Sequence, residues 1–177
     1  MKIKGYYLVL LTAFISGLAI FLNKFGVRGI DSDIYTFSRT SLVALLITAV
    51  LLLSKNWQEL KSLSFKNWLL LIIVGLVGGS MPFLLFFKGL TLIDSSQASF
   101  LHKTMFIWVA LLACIFLKEK INKSFFFGGL VILLGNFLIL KKVSFSLNLG
   151  FFLVLFATLF WSVENIISKY LLKNLKG

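Results

Sequence analysis

The chain has 177 residues, of which 59% are hydrophobic and only 14% charged, and its mean hydropathy is +1.00. A soluble domain carries about twice that charged fraction, so water is not the main solvent of this protein. The net charge of +12 is spread between apolar blocks rather than gathered on one face, which argues against nucleic acid as the partner and for membrane topology as the cause.

Six apolar blocks follow one another, each near the ~20 residues that carry a helix across ~30 Å of hydrocarbon. Continuous apolar runs of this length favour helices over barrel strands. The first is expected at about residues 5–24. Lys2 and Lys4 ahead of it resemble the start of a signal peptide, with Ser16, Gly17 and Ala19 as small cleavage-site residues. The apolar run continues through Leu22, however, which favours a retained helix. The second block, about 34–54, encloses Arg39. The third, about 67–87, holds Gly75, Gly78, Gly79 and the only proline, Pro82. Gly75 and Gly79 permit close helix approach, and Pro82 frees the carbonyl one turn earlier, so a helix break is predicted there. The fourth, about 95–117, contains His102 and Lys103. Gly128, Gly129 and Gly135 in the fifth, about 124–140, predict close packing. The sixth lies within 144–177 and carries Trp161 and Glu164. Trp57, Trp68, Tyr6 and Tyr7 suit the interfacial belt. Cys114 is the only cysteine, so no intrachain disulfide can form.

The sixth block repeats the first at a constant offset of 145 residues. The offset pairs Gly5 with Gly150, Val9 with Val154 and Lys24 with Lys169, and sets Tyr6 and Tyr7 on Phe151 and Phe152. A repeat unit of five helices enters the membrane upside down in its second copy. The chain therefore reads as an all-α polytopic bundle: residues 1–143 form one five-helix repeat, and 144–177 begin an inverted second one. On this reading the natural protein continues past Gly177 for four more helices. Short connections make successive helices antiparallel neighbours.

Lysine placement sets an orientation. With the N-terminus in the cytoplasm, the inside segments hold Lys2, Lys4, Lys55, Lys61, Lys66, Lys118, Lys120, Lys123, Lys169, Lys173 and Lys176. The outside segments hold Lys24, Arg28, Lys88, Lys141 and Lys142. The bias favours a cytoplasmic N-terminus.

Charge at membrane depth is costly, which makes Arg39, Lys103 and Glu164 functional candidates. Arg39 lies about 9 Å and Lys103 about 12 Å from the outer helix ends at 1.5 Å per residue. Two inward-facing cations at that depth would attract a carboxylate or phosphate. The alternatives are an Arg39 that snorkels and a Lys103 paired with Asp94. His102 could bind a proton or donate a hydrogen bond, but adjacent helical residues point about 100° apart, so it and Lys103 cannot both face one narrow cavity. Trp161 joins Arg39, Lys103 and His102 as a candidate substrate contact. Glu164 is the candidate proton-coupling residue; the alternative is an interfacial acid bonded to Lys169 or Asn165. One His and one Cys supply no metal-ligand cluster, and no catalytic motif or cofactor signature occurs.

Several short motifs also stand in a telling order. They are Gly17 to Lys24 late in the first helix, Arg39 near the start of the second, and Phe87-Lys88-Gly89-Leu90 leading into Asp94-Ser95-Ser96-Gln97-Ala98. Phe116-Leu117-Lys118-Glu119-Lys120 closes the fourth helix, glycines follow in the fifth, and Phe160-Trp161 marks the sixth. In this order and spacing they resemble the EamA-type transporters of the drug/metabolite transporter superfamily. The resemblance implies ten helices in two inverted five-helix repeats and secondary transport of a small organic solute, commonly export of amino acids or other metabolites. The chain departs from the family pattern in lacking a proline near Phe106 and in placing Lys88 where a small residue is common. Two other readings stand beside it: a non-transporting membrane scaffold or assembly protein, and a short homodimeric multidrug exporter, which six helices disfavour. The expected partners are a small solute and the lipid bilayer of the cytoplasmic membrane, with a homodimer left open and no nucleic acid.

Overall fold

The computed structural model describes residues 5–54, 61, 63–140 and 146–174. Lys2, Lys4, Lys55, Trp57, Lys141, Lys142 and Lys176, which entered the topology and belt readings, lie outside the described residues, as does the side chain of Lys173. Six helical spans make up the described chain: α1 (Gly5–Gly26), α2 (Ser32–Leu53), α3 (Phe65–Leu92), α4 (Ser95–Phe116), α5 (Lys123–Leu140) and α6 (Leu149–Asn174). Five of them are long and apolar enough to cross a membrane, and α5 is a shorter apolar helix.

Side-chain caps set the helix starts. Asp31 accepts from the amides of Asp33 (2.8 Å) and Ile34 (3.3 Å) at the head of α2, and Ser64 accepts from Asn67 N at the head of α3. α6 begins at Leu149, where Asn148 accepts from Phe151 N while its own amide donates to Leu92 O at 3.2 Å. α3 outlasts its expected end at 87 and runs to Leu92, with Lys88 on an exposed face. Its last carbonyls, Leu90 O and Ile93 O, each accept from Lys24 Nζ at 2.6 Å. A cation at a helix C-terminus satisfies orphan carbonyls and opposes the helix dipole.

α6 is the hub of the bundle and packs along both α3 and α4. Its closest approach to α3 is at paired glycines. A Cβ on Gly89 would stand 2.9 Å from Gly150 O and 2.7 Å from Val154 Cγ2, and one on Gly150 would stand 2.6 Å from Leu92 Cβ. Leu90, Val154, Ala157, Thr158 and Ser162 are buried around this seam. The Thr158 and Ser162 hydroxyls donate to the carbonyls of Val154 and Thr158, so no polar atom is left bare there. α1 lies against α4 and the end of α3, α2 lies against the second half of α3, and α5 covers the first half of α4. Of the fifth-helix glycines, Gly129 meets the Phe106 ring, whereas Gly128 and Gly135 face open space. Close packing therefore rests on one of the three.

Two spans are broken. α3 contains a π-helical segment, Gly75–Ser80, immediately before Pro82. α4 is interrupted at Thr104, whose N–H is shared between Phe100 O and Leu101 O and whose hydroxyl donates to Leu101 O at 2.6 Å. A back-bonding threonine bends a helix without a proline.

Candidate functional site

Residues of α1, α2, α3, α4 and α6 line an open cavity of about 260 Å³. α1 presents Ser16, Ala19, Ile20 and Asn23 to it, an i, i+3, i+4, i+7 stripe on one helical face. α6 contributes Trp161 and Asn165. These stand 145 residues after Ser16 and Ile20, so α1 and α6 turn positions at that offset toward the same space.

Arg39 lines the cavity from α2. Its guanidinium carbon sits 5.2 Å from the Phe83 ring centre and 5.3 Å from that of Phe87, a cation–π cradle. Lys169 pairs with Glu119, and no ion pair of Arg39 with a carboxylate is found among the described residues. His102 enters from α4 and packs edge-on against Trp161 (5.1 Å) and Phe86 (5.9 Å). Its Nδ1 is buried without a hydrogen-bond partner, a condition shared among the described residues with Trp108 Nε1. An unmet buried polar atom costs about 1–3 kcal/mol, and His102 spends that cost on a wall of the cavity.

Trp161 ties the cavity to the break in α3. Proline has no N–H, so Pro82 leaves the carbonyl four residues earlier, that of Gly78, without its α-helical donor. The indole N–H of Trp161 donates to Gly78 O at 3.0 Å and fills that role. Glu164, one turn further along α6, lays its side chain directly on Gly78, where any Cβ would collide with it. The Glu164 carboxylate accepts from Ser168 Oγ at 2.6 Å and from Asn165 Nδ2 at 3.4 Å. Lys169 turns away from it and pairs with Glu119 at 2.6 Å.

The cavity gathers Arg39, His102 and Trp161 but not all the residues singled out from the sequence. Lys103 is half-buried on the next helical position after His102 and does not line the cavity, so the expected two-cation arrangement with Arg39 is absent from its wall. Glu164 lies behind Trp161 on the Gly78 side rather than in the lining. Ser16, Asn23 and Asn165 were missed; their signal was small polar residues at helical spacing inside apolar helices. Asn23 is also fixed by the Tyr35 hydroxyl, which donates to its Oδ1 at 2.6 Å. Among the described residues no group of three or more His, Cys, Asp or Glu is placed to hold a metal ion.

The family model described as the EamA-like transporter family matches residues 3–141. The chain belongs to the EamA-like transporter family. An "Uncharacterized transporter in cobO 3'region" of Sinorhizobium sp is 32% identical over 130 residues, covering 73% of this chain and 92% of that protein. An "Uncharacterized transporter" of Methanothermobacter thermautotrophicus is 30% identical over 111 residues, covering 59% of this chain and 32% of the relative, so the match spans about a third of the latter's length. No solved structure matches. This EamA-like chain is a multi-pass membrane protein of a transporter family, and its central cavity carries Arg39 on its wall.

Proposed function

We propose that the protein is a secondary transporter that exports small organic metabolites carrying a carboxylate, amino acids among them, across the cytoplasmic membrane, with its N-terminus inside. The observation that carries this reading is the guanidinium of Arg39, held over two aromatic rings at the wall of a mid-membrane cavity with no acidic partner among the described residues. An intramembrane cation without a counter-ion is costly. A solute carboxylate is the partner that would relieve it, and a bidentate pair with arginine would orient the solute. His102 Nδ1 offers one more polar contact, and Trp161 and Phe86 supply apolar walls.

Glu164 is the proton carrier on this reading. It is the acid that α6 carries inside its apolar run, and it rests on the broken segment of α3. Protonation would change its bonds to Ser168 and Asn165 at the point where α3 is least regular. The exposed apolar faces of α1 and α2 leave room for a homodimer.

The test is efflux of a mixed amino-acid pool from proteoliposomes of the full-length protein, with the exported species identified by mass spectrometry. Arg39→Ala is expected to lower transport of the exported species more than tenfold, and Glu164→Gln to abolish its acceleration by a pH gradient. Unchanged transport by Arg39→Ala would reject the site, and an unchanged response of Glu164→Gln would reduce Glu164 to a structural acid. Orientation is checked separately. Lys61→Cys and Lys120→Cys should resist a membrane-impermeant thiol reagent in intact cells, and ready labelling would reverse the topology.

A further inference from the structure

At the end of the bundle away from Lys24, two cavities share one wall. The larger, about 530 Å³, lies between the end of α4, the start of α5 and the end of α6, and its polar rim includes Glu119, Lys120, Asn122 and Lys169. Glu119 and Lys169 neutralise one another. Lys120 on the rim and Lys123 at the first turn of α5 are exposed and make no hydrogen bond or ion pair among the described residues. The helix dipole of α5 adds partial positive charge at the same place.

The second cavity, about 300 Å³, adjoins the first across Phe106, Ala110, Ile121 and Phe125 and extends between α4 and α5 as far as Leu133. Its lining is wholly apolar. From Lys123 to Leu133 is about 15 Å along the helix, which is half of the ~30 Å hydrocarbon core and so the depth of one leaflet. A cationic rim leading into an apolar slot of that depth is complementary to a molecule with an anionic head and a long hydrocarbon tail.

We infer that this double cavity is a binding site for an anionic phospholipid, with the phosphate held by Lys120 and Lys123 and one acyl chain in the slot between α4 and α5. A free anion would leave the slot empty. A second copy of a chain with a net charge of +12 would bring cations to a cationic rim. Basic pockets between transmembrane helices are suited to lipid phosphates for the same electrostatic reason. Asn165 lines both the larger cavity and the Arg39 cavity, but neither Lys120 nor Lys123 nor any residue of the apolar slot lines the latter, so the inference does not depend on the transport reading.

The experiment is native mass spectrometry of the full-length protein released from vesicles of dioleoylphosphatidylglycerol and dioleoylphosphatidylcholine in equal amounts. The parent should retain the anionic lipid about tenfold over the zwitterionic one. Lys120→Gln/Lys123→Gln, at exposed positions that leave the fold intact, should bring the ratio to within twofold. Ala110→Phe, which fills the shared wall, should reduce retention of phosphatidylglycerol by a similar factor. Equal retention of both lipids by the parent, or a ratio unchanged in the lysine double variant, would overturn the proposal. So would displacement of the lipid by glycerol phosphate at equal concentration, which would mark a simple anion patch. A dimer lost in Ala110→Phe, with no lipid preference in the parent, would instead show a second copy in the slot.

Discussion

Val9 in α1 is 68% exposed, whereas Val154, its counterpart 145 residues on in α6, is 0% exposed. The contrast holds at the neighbouring glycines: Gly5 has nothing within 4 Å of a Cβ position, and Gly150 is pressed against Gly89 and Leu92. It holds at the basic ends too, where Lys24 caps α3 with two short bonds and Lys169 makes an exposed ion pair with Glu119. Two helices of kindred sequence thus occupy opposite kinds of place. Burial follows from the partner each helix meets. α6 meets α3 across a glycine crossing, while α1 keeps its inward contacts to its second half, around Ile20, with Val27 buried just beyond its end. In a bilayer an exposed valine costs nothing, because lipid is as apolar as a protein core, and what distinguishes the two sites is packing.

The sharpest way to break this comparison is to put side chains on the glycines. Gly150→Leu should destabilise the protein by more than about 3 kcal/mol, since the clash is partly with backbone that cannot yield. Gly5→Leu should fall within about 0.5 kcal/mol of the parent, both read by denaturation in mixed detergent micelles. Equal effects would mean that α1 and α6 are equally packed. Next come the lysines. Lys24→Ala removes charge-assisted bonds to two helix-terminal carbonyls and should cost about 1.5–3 kcal/mol. Lys169→Ala should cost less than about 1 kcal/mol, because both members of its ion pair are nearly half exposed. The valines give a smaller contrast, with Val154→Ala expected to lose about 1–2 kcal/mol and Val9→Ala almost nothing. Smallest is the bond between Trp161 and Gly78. Trp161→Phe should cost about 1 kcal/mol, and the cost should shrink in a Pro82→Ala background, where a backbone N–H becomes available to Gly78 O. A cost that stays the same in both backgrounds would separate Trp161 from the proline.

Much of this was legible in the sequence for a plain physical reason. Hydrocarbon enforces long apolar runs, so the six spans, the break before Pro82 and the half-buried Arg39, His102 and Trp161 stand out against an apolar background. Pairing between spans leaves no such mark. Lys24 read as a loop-edge cation, yet it reaches across to the end of α3. Thr104 breaks α4 through its own hydroxyl, although the chain lacks the proline near Phe106 that the family often places in this helix. Lys103 and His102 are neighbours in sequence and share the same cost of burial, but the helical turn between them gives the cavity only His102. Glu119 and Lys169 lie 50 residues apart and meet only because α6 returns alongside α4.

On the transport reading, a water-accessible cavity with Arg39 on its wall lies between α1 and α6 at membrane depth. With Cys114, the one cysteine of these 177 residues, and any cysteine elsewhere in the protein replaced by serine, a single reporter can be placed at Ser16 on the cavity face of α1, with Leu18→Cys on the exposed face as its control. In the full-length protein in sealed vesicles, Ser16→Cys should react with a water-soluble, membrane-impermeant thiosulfonate, Leu18→Cys should not, and the exported carboxylate should slow the reaction at Ser16→Cys. An inert Ser16→Cys, or equal reaction at both positions, would contradict the account.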